Sequence, residues 1–491
     1  MSDKSSRRSF LRNSLMTAAG LALSKYTLAQ NPTDLTYLSI AEVSELVRHK
    51  NASPVELTKA CLKRIERLNP KVNAFITITA DRALSEAKEA ENEIKNGQWK
   101  GPLHGIPIAL KDNIDTVGIR TTGASALFKD RIPSEDAEIV RRLKAAGAVI
   151  LGKTNMHECA AGSTSATSYF GPVHNPWNLD LIAGGSSGGS AAAIAANMCY
   201  GAIGTDTGGS IRIPAACCGI VGLKPTYGLV SKQGVIPNSE SLDHVGPMCR
   251  TVTDTAILLS VIAGADPKDK NSISSQPVNY ATQLYQSVTS FRLGKLLSRF
   301  ENLDREIKIV IDAAMIVLTK LTAGFQEVNL PATPDLFSSV ASVETYAFYE
   351  PYLGQAQQLF QPATLKALRM VESMAEKITA TQYLNGLHSL HQIRNSSMDV
   401  FKAVDFLVTP TIPRLPLRIT ECTDPFQMPG AVGRYNFYGW PTITIPCGFT
   451  SSGLPAGIEI AGPAFSESKL LALAYAYEQA TEWYKKHPVL E

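Results

Sequence analysis

The chain has 491 residues, a formal net charge of +3 and 19% charged residues. That length suits one large domain or two to three smaller ones, and so small a charge gives no argument for a nucleic-acid surface. No apolar run is long enough for a membrane span, and the low charged fraction points to a chain that buries much of its length.

The first thirty residues read as a targeting segment. Ser6-Arg7-Arg8-Ser9-Phe10-Leu11-Arg12 is a twin-arginine pattern, a modest apolar region follows over 15–23, and Thr27 and Ala29 offer small residues for cleavage. We read residues 1–29 as a signal peptide for export of a folded protein, which predicts a bacterial periplasmic or secreted mature chain over 30–491. The eight cysteines form no Cys-x-x-Cys pair and no metal spacing. They read as buried thiols, with one disulfide left open.

Residues 35–96 read as helical, with Ser39 and Ser53 as N-caps and Pro54 at a first helical position. Residues 103–110 read as a buried strand running into Lys111-Asp112-Asn113. A helix over 136–146 and a strand over 148–151 follow, and this alternation argues for an α/β sheet. A helix of small residues over 188–198, a strand over 202–204 and a helix over 253–263 come next. Beyond a polar stretch at 268–290, a strand over 291–297, a helix over 304–321 and a strand over 325–330 repeat the rhythm. Residues 335–400 read as mostly helical with weak periodicity. Strands over 406–408, 442–445 and 458–460 and a helix over 467–486 finish the chain.

Two glycine–serine segments stand out against this apolar background: Gly184-Gly185-Ser186-Ser187-Gly188-Gly189-Ser190 and Thr205-Asp206-Thr207-Gly208-Gly209-Ser210-Ile211-Arg212. Serine supplies a hydroxyl nucleophile once a base takes its proton. Neighbouring glycines bare backbone N–H groups for a developing oxyanion. Residues 147–154 match a P-loop formally, but the four residues inside the match, Ala-Val-Ile-Leu, are strand material rather than an open phosphate-cradling loop. Gly184-x-Ser186-x-Gly188 matches a nucleophile elbow with His244 or His391 downstream, and gives no role to Lys111 or Ser210. A lysine at the end of an apolar strand loses hydration, so its amine becomes a base near neutral pH and can activate serine without histidine.

Taken together these segments resemble the amidase signature family. The matching text is Leu103-His-Gly-Ile-Pro-Ile-Ala-Leu-Lys111-Asp-Asn, Gly152-Lys-Thr-Asn-Met, Gly171-Pro with Asn175-Pro-Trp, the run over 184–226, Gly439-Trp-Pro-Thr-Ile-Thr-Ile-Pro and Ala456-Gly-Ile-Glu-Ile. The resemblance implies a single large α/β/α domain over 30–491, with a mixed central sheet covered by helices on both faces. It covers a signature core at about 100–265 and leaves a variable substrate region at about 268–400. It implies Ser210 as nucleophile, Ser186 as a bridging serine with a cis peptide bond from Gly185, and Lys111 as base. It implies an oxyanion hole from the backbone N–H groups of Thr207, Gly208, Gly209 and Ser210. Asp206 and Arg212 read as a pair holding the loop, and Ser187 as a supporting residue. His104 and His157 read as structural, and neither a metal nor a cofactor is expected.

The function expected is an amidase that hydrolyses a carboxamide to a carboxylate plus ammonia or an amine. The alternative is the A subunit of a glutamine-dependent amidotransferase acting on charged tRNA, whose signature region looks very similar. Those subunits hold the substrate's amino group with an acidic residue, and no Asp or Glu occurs between Pro425 and Ile458. The partners expected are a small-molecule amide, no nucleic acid, no stable membrane association, and a monomer or homodimer. Tyr346, Phe348, Tyr349, Tyr352, Phe426, Tyr435, Phe437, Tyr438 and Trp440 are candidates for an apolar acyl pocket, and Arg394 reads as part of a solvated helix face.

Overall fold

Three of the buried runs become parallel neighbours. β1 (Phe75–Ile78), β2 (Pro107–Lys111), β3 (Val149–Thr154), β4 (His174–Asn175), β5 (Asn178–Ile182) and β6 (Gly201–Asp206) are the strands of the first half. The structure is a computed structural model that describes residues 34–490 apart from 275, 331–332 and 429–432. The signal peptide expected over 1–29 lies outside the described residues. β2 pairs in parallel with β3, Lys111 opposite Thr154, and with β6, Ile108 opposite Gly201. Every residue of β2, β3 and β6 is buried, as strands covered on both faces require.

The sheet continues through β7 (Val221–Lys224), β8 (His244–Cys249), β9 (Leu293–Lys295), β10 (Phe325–Glu327), β11 (Phe406–Pro410), β12 (Thr442–Phe449) and β13 (Pro455–Ala461). Its eleven strands run in the order β1-β3-β2-β6-β8-β7-β12-β13-β11-β9-β10, while β4 and β5 make a separate hairpin. Pairings from β6 through β11 are antiparallel, and β11, β9 and β10 are parallel. The sheet is therefore mixed, as the resemblance implies. The helices Gly188–Ala195 and Arg212–Cys218 pack on one another and on β6, β12 and β13. The helices Val252–Ile262, Arg305–Leu321 and Glu467–Thr481 form the other covering layer against β8, β12 and β13.

Several expectations need correction. Residues 35–96 are not all helical. The helix Pro54–Val72 ends at Asn73 in the left-handed region, φ 54°, and the β-branched run Phe75-Ile-Thr-Ile forms β1 antiparallel to β3. β7 and β8 lie where no strand is expected, because Gly246 and Pro247 disguise β8 as a turn. Pro247 is tolerated where the ladder to β7, which pairs only Met248 and Cys249, has already ended. The last helix stops at Thr481, where Glu482 takes φ 53°. All eight cysteines are free, and Cys422 alone is half-buried rather than buried.

Candidate active site

Lys111 is the last residue of β2 and Asp206 the last of β6. Parallel strands bring their carboxyl ends to one edge, where loops form clefts. The second glycine–serine segment leaves β6 at that edge, and the first comes in from the hairpin strand β5. Gly184 has φ 75° and an added Cβ there would meet the Pro214 backbone at 2.9 Å, so only glycine fits. The Gly185–Ser186 peptide bond is cis. Ser186 and Ser187 then lead into the helix Gly188–Ala195, and the Ser186 carbonyl accepts a hydrogen bond from the His157 N–H at 3.0 Å.

Lys111 Nζ donates to Ser186 Oγ at 2.7 Å and to Thr205 Oγ1 at 2.7 Å. Both Lys111 and Ser186 are fully buried. Burial pushes the Lys111 amine down to about 7, against the pull of the Asp206 and Asp243 carboxylates. Asn113 Nδ2 donates to Thr205 Oγ1 at 3.2 Å, so the Lys-Asp-Asn segment braces the same hydroxyl from two sides. Ser187 ties the two segments together. Its N–H donates to the Ser210 carbonyl at 3.1 Å, and its hydroxyl donates to the Thr205 carbonyl at 3.2 Å.

Ser210 is half-buried on the wall of a cavity of about 440 Å³ that Thr207 and Gly208 also line. Its hydroxyl makes no hydrogen bond with the described residues. Of the four N–H groups expected to form an oxyanion hole, one is otherwise engaged. Gly209 N–H donates to Asp206 Oδ1 at 2.8 Å. That carboxylate also accepts from the Ile211 N–H at 3.1 Å, so it shapes the turn from inside. Gly209 with φ 121° permits the curl. The Thr207, Gly208 and Ser210 N–H groups make no hydrogen bond with the described residues and remain for a ligand oxygen.

Asp206 and Arg212 form the expected pair, Nε to Oδ2 at 3.0 Å and Nη2 to Oδ1 at 3.0 Å, with both side chains fully buried. Burial raises the Asp206 carboxyl, but the Arg212 charge and hydrogen bonds outweigh it and hold it well below the usual carboxylate range. Arg212 also reaches Glu459 of β13 at 2.9 Å and Asn436 at 2.7 Å, and Asn436 Nδ2 returns to Asp206 Oδ1 at 2.8 Å. Thr207 Oγ1 donates to Asp243 Oδ1 at 2.5 Å. Thr205, Asp243, Asn436 and Glu459 are thus functional neighbours to which the sequence reading assigns no role. Thr205 stands in the second glycine–serine segment and Glu459, a carboxylate inside an otherwise apolar strand, in Ala456-Gly-Ile-Glu-Ile, whereas Asp243 and Asn436 lie in no motif.

The remaining motifs have structural roles. Residues 149–154 are strand β3, which removes the P-loop reading. Lys153 is buried and donates to the Ile114 carbonyl and to Thr121 Oγ1 at 2.9 Å, bracing the loop after β2. His157 accepts the Ser165 N–H at 3.2 Å, and burial holds its imidazole neutral, down to about 3. His104 contacts Glu93 at 2.8 Å. Ser186 meets a lysine rather than a histidine, and His244 is turned to the Leu242 carbonyl at 2.6 Å, which removes the elbow reading.

The aromatic candidates divide. Phe426 and Phe437 line the cavity, joined by Phe337, Leu368 and Val371. Tyr346, Phe348, Tyr349 and Tyr352 instead pack in a separate apolar cluster with Phe360. Tyr435, Tyr438 and Trp440 belong to the core beneath the cavity wall. Arg394 is not a solvated residue. Its guanidinium lies 3.9 Å from the centre of the Tyr227 ring and donates to the Ser241 carbonyl at 2.6 Å.

A family model described as Amidase matches residues 56–471. The chain is 40% identical over 485 residues to the A subunit of the glutamyl-tRNA(Gln) amidotransferase of Carboxydothermus hydrogenoformans, covering 93% of this chain and 100% of the relative. Among solved structures it is similar to the native peptide amidase of Stenotrophomonas maltophilia. The TM-score is 0.80 and the identity 33%, over 92% of this chain and 98% of that one. It is also similar to the A subunit of the glutamyl-tRNA(Gln) amidotransferase of Thermotoga maritima, with TM-score 0.79 and 31% identity over 94% and 98% of the chains. A small-molecule amide with no nucleic-acid partner is the expectation from sequence. Relatives named for charged tRNA overturn that expectation and favour the alternative.

Proposed function

The chain belongs to the amidase family, and from that premise we propose that it cleaves a carboxamide C–N bond through an acyl-enzyme on Ser210. The carrying observation is the buried Lys111 amine 2.7 Å from Ser186 Oγ, next to the turn that holds Ser210. The neutral amine takes a proton from Ser186, which takes one from Ser210 as Ser210 Oγ attacks the carbonyl carbon. Negative charge on the carbonyl oxygen is met by the Thr207, Gly208 and Ser210 N–H groups. Asp206, Arg212 and Ser187 hold the turn. The relay then returns its proton to the leaving nitrogen, and water releases the acid by the same path.

The relatives support a finer reading, in which the chain is the A subunit of a glutamyl-tRNA(Gln) amidotransferase and draws ammonia from glutamine. Two observations favour a second reading of amide substrate and location. No carboxylate is among the described residues lining the cavity, so glutamine's ammonium finds no counter-charge there. The twin-arginine pattern over 6–12 supports export of the folded chain. One experiment distinguishes the readings. The full chain is expressed with a tag at residue 491 in a bacterium with an active twin-arginine pathway and its fractions are assayed. Glutaminase activity retained inside, stimulated by glutamyl-tRNA, supports the first. A shortened chain outside the inner membrane, with amide hydrolysis but weak glutaminase, supports the second. Labelling of Ser210 by a fluorophosphonate probe is expected in both, and labelling of Ser186 instead would refute the mechanism.

A further inference from the structure

Two positively charged side chains stand on the cavity wall with no ion-pair partner among the described residues. Arg299 is half-buried and Arg434 exposed, and both line the cavity that holds Ser210. Neither guanidinium makes a hydrogen bond or ion pair with the described residues. Most other arginines that face the interior are committed: Arg212 to Asp206 and Glu459, Arg394 to the Ser241 carbonyl, Arg250 to the Thr36 carbonyl. Burial pushes the Tyr438 phenol up, and the charges of Arg434 and Arg299 both act against that rise. No Asp or Glu is among the described lining residues, so the wall carries two cations and no anion. Phe337 and Phe426, both large and exposed, complete the same wall.

A guanidinium beside apolar surface attracts an anion more strongly than one in open water, because the low-dielectric wall focuses its field. Its planar fork matches a carboxylate through two parallel N–H···O bonds. We infer that the cavity selects amides whose acyl chain ends in a carboxylate, with Arg299 and Arg434 holding that carboxylate while Ser210 meets the amide carbon. The aliphatic stem of such a substrate lies against Phe337 and Phe426. The inference rests on Ser210 being the acylated residue, and it assigns the two arginines to specificity rather than to bond cleavage.

The test uses matched amides of equal length, the monoamide of adipic acid and hexanamide, with the full chain. The expected kcat/KM ratio of anionic to neutral amide is about 10 to 150, from the ~1.5–3 kcal/mol of a charge-assisted hydrogen bond, and it resides in KM. Arg299→Ala, Arg434→Ala and the double variant are expected to lower that ratio stepwise towards 1. Arg299→Lys keeps part of it. Raising salt lowers it wherever one of the cations remains and leaves the double alanine variant unchanged. Calorimetric binding of the two amides to the Ser210→Ala chain reads the same preference without turnover. It therefore separates failure of this inference from failure of the acyl-enzyme reading. A ratio near 1 for the unaltered chain in both measurements, or a ratio indifferent to both arginines, overturns the assignment.

Discussion

The two walls that meet at Ser210 are built on opposite principles. The wall made by β2, β6, β13 and the glycine–serine loops buries Lys111, Asp206, Arg212 and Glu459 completely and pairs each of them. The facing wall, which includes Phe337, Leu368, Val371, Phe426 and Phe437, is largely apolar, and its two arginines, Arg299 and Arg434, have no ion-pair partner among the described residues. In the first, each buried charge is positioned by polar partners, so geometry is held closely and substitution is costly. In the second, side chains make mainly van der Waals contacts that tolerate exchange. On the proposed function, reaction type belongs to one wall and substrate choice to the other.

The strongest way to break the comparison is at Ser210, the proposed nucleophile. Ser210→Ala is expected to lower kcat by about 10⁵–10⁶, measured by single-turnover amide hydrolysis, with circular dichroism unchanged. Lys111→Ala comes next, at about 10²–10⁴. It should also remove a pH limb. With the Lys111 amine pushed down to about 7, the base is protonated and idle below that pH. The kcat/KM of the unaltered chain should therefore fall about tenfold per unit on the acid side and level off above it. A flat profile from pH 5 to 9 would remove Lys111 from the relay.

The stability of the two walls should differ in the same direction. Arg212→Leu leaves Asp206 and Glu459 buried without their partner, and is expected to cost about 3–5 kcal/mol, read as a lower urea midpoint. Phe426→Ala on the facing wall should cost under about 1 kcal/mol of stability, because its ring is 44% exposed. It should raise KM for apolar amides by about tenfold or less. Equal destabilisation by the two substitutions would refute the contrast.

What can be read from sequence follows the same division. Lys111, Ser186 and Ser210 are legible because glycine, serine and a lysine ending an apolar strand are rare in such proximity, and the family text around them is long. The mixed sheet is legible in its first parallel part, where β2, β3 and β6 each carry a buried apolar run. β8 is not, since Gly246 and Pro247 are turn residues whose tolerance depends on where a neighbouring ladder stops. Asn436 and Glu459 lie 224 and 247 positions from the Arg212 they contact, and no local pattern encodes such a meeting. Nor does sequence show that Gly209 N–H turns inward to Asp206 while its neighbours do not. The aromatic residues of 346–352 are indistinguishable by type from Phe426, and only packing separates them.

The strand order carries a consequence for synthesis. β12 and β13 are among the last segments to leave a ribosome, yet they stand between β7 and β11 in the middle of the sheet. A nascent chain that ends before residue 442 therefore holds two half-sheets with open edges, and its Arg212 has no Glu459 to meet. The turn bearing Ser210 gains its brace through Arg212 to β13 only when the chain is nearly complete, so a shortened chain is expected to lack hydrolase activity and to expose unpaired strands.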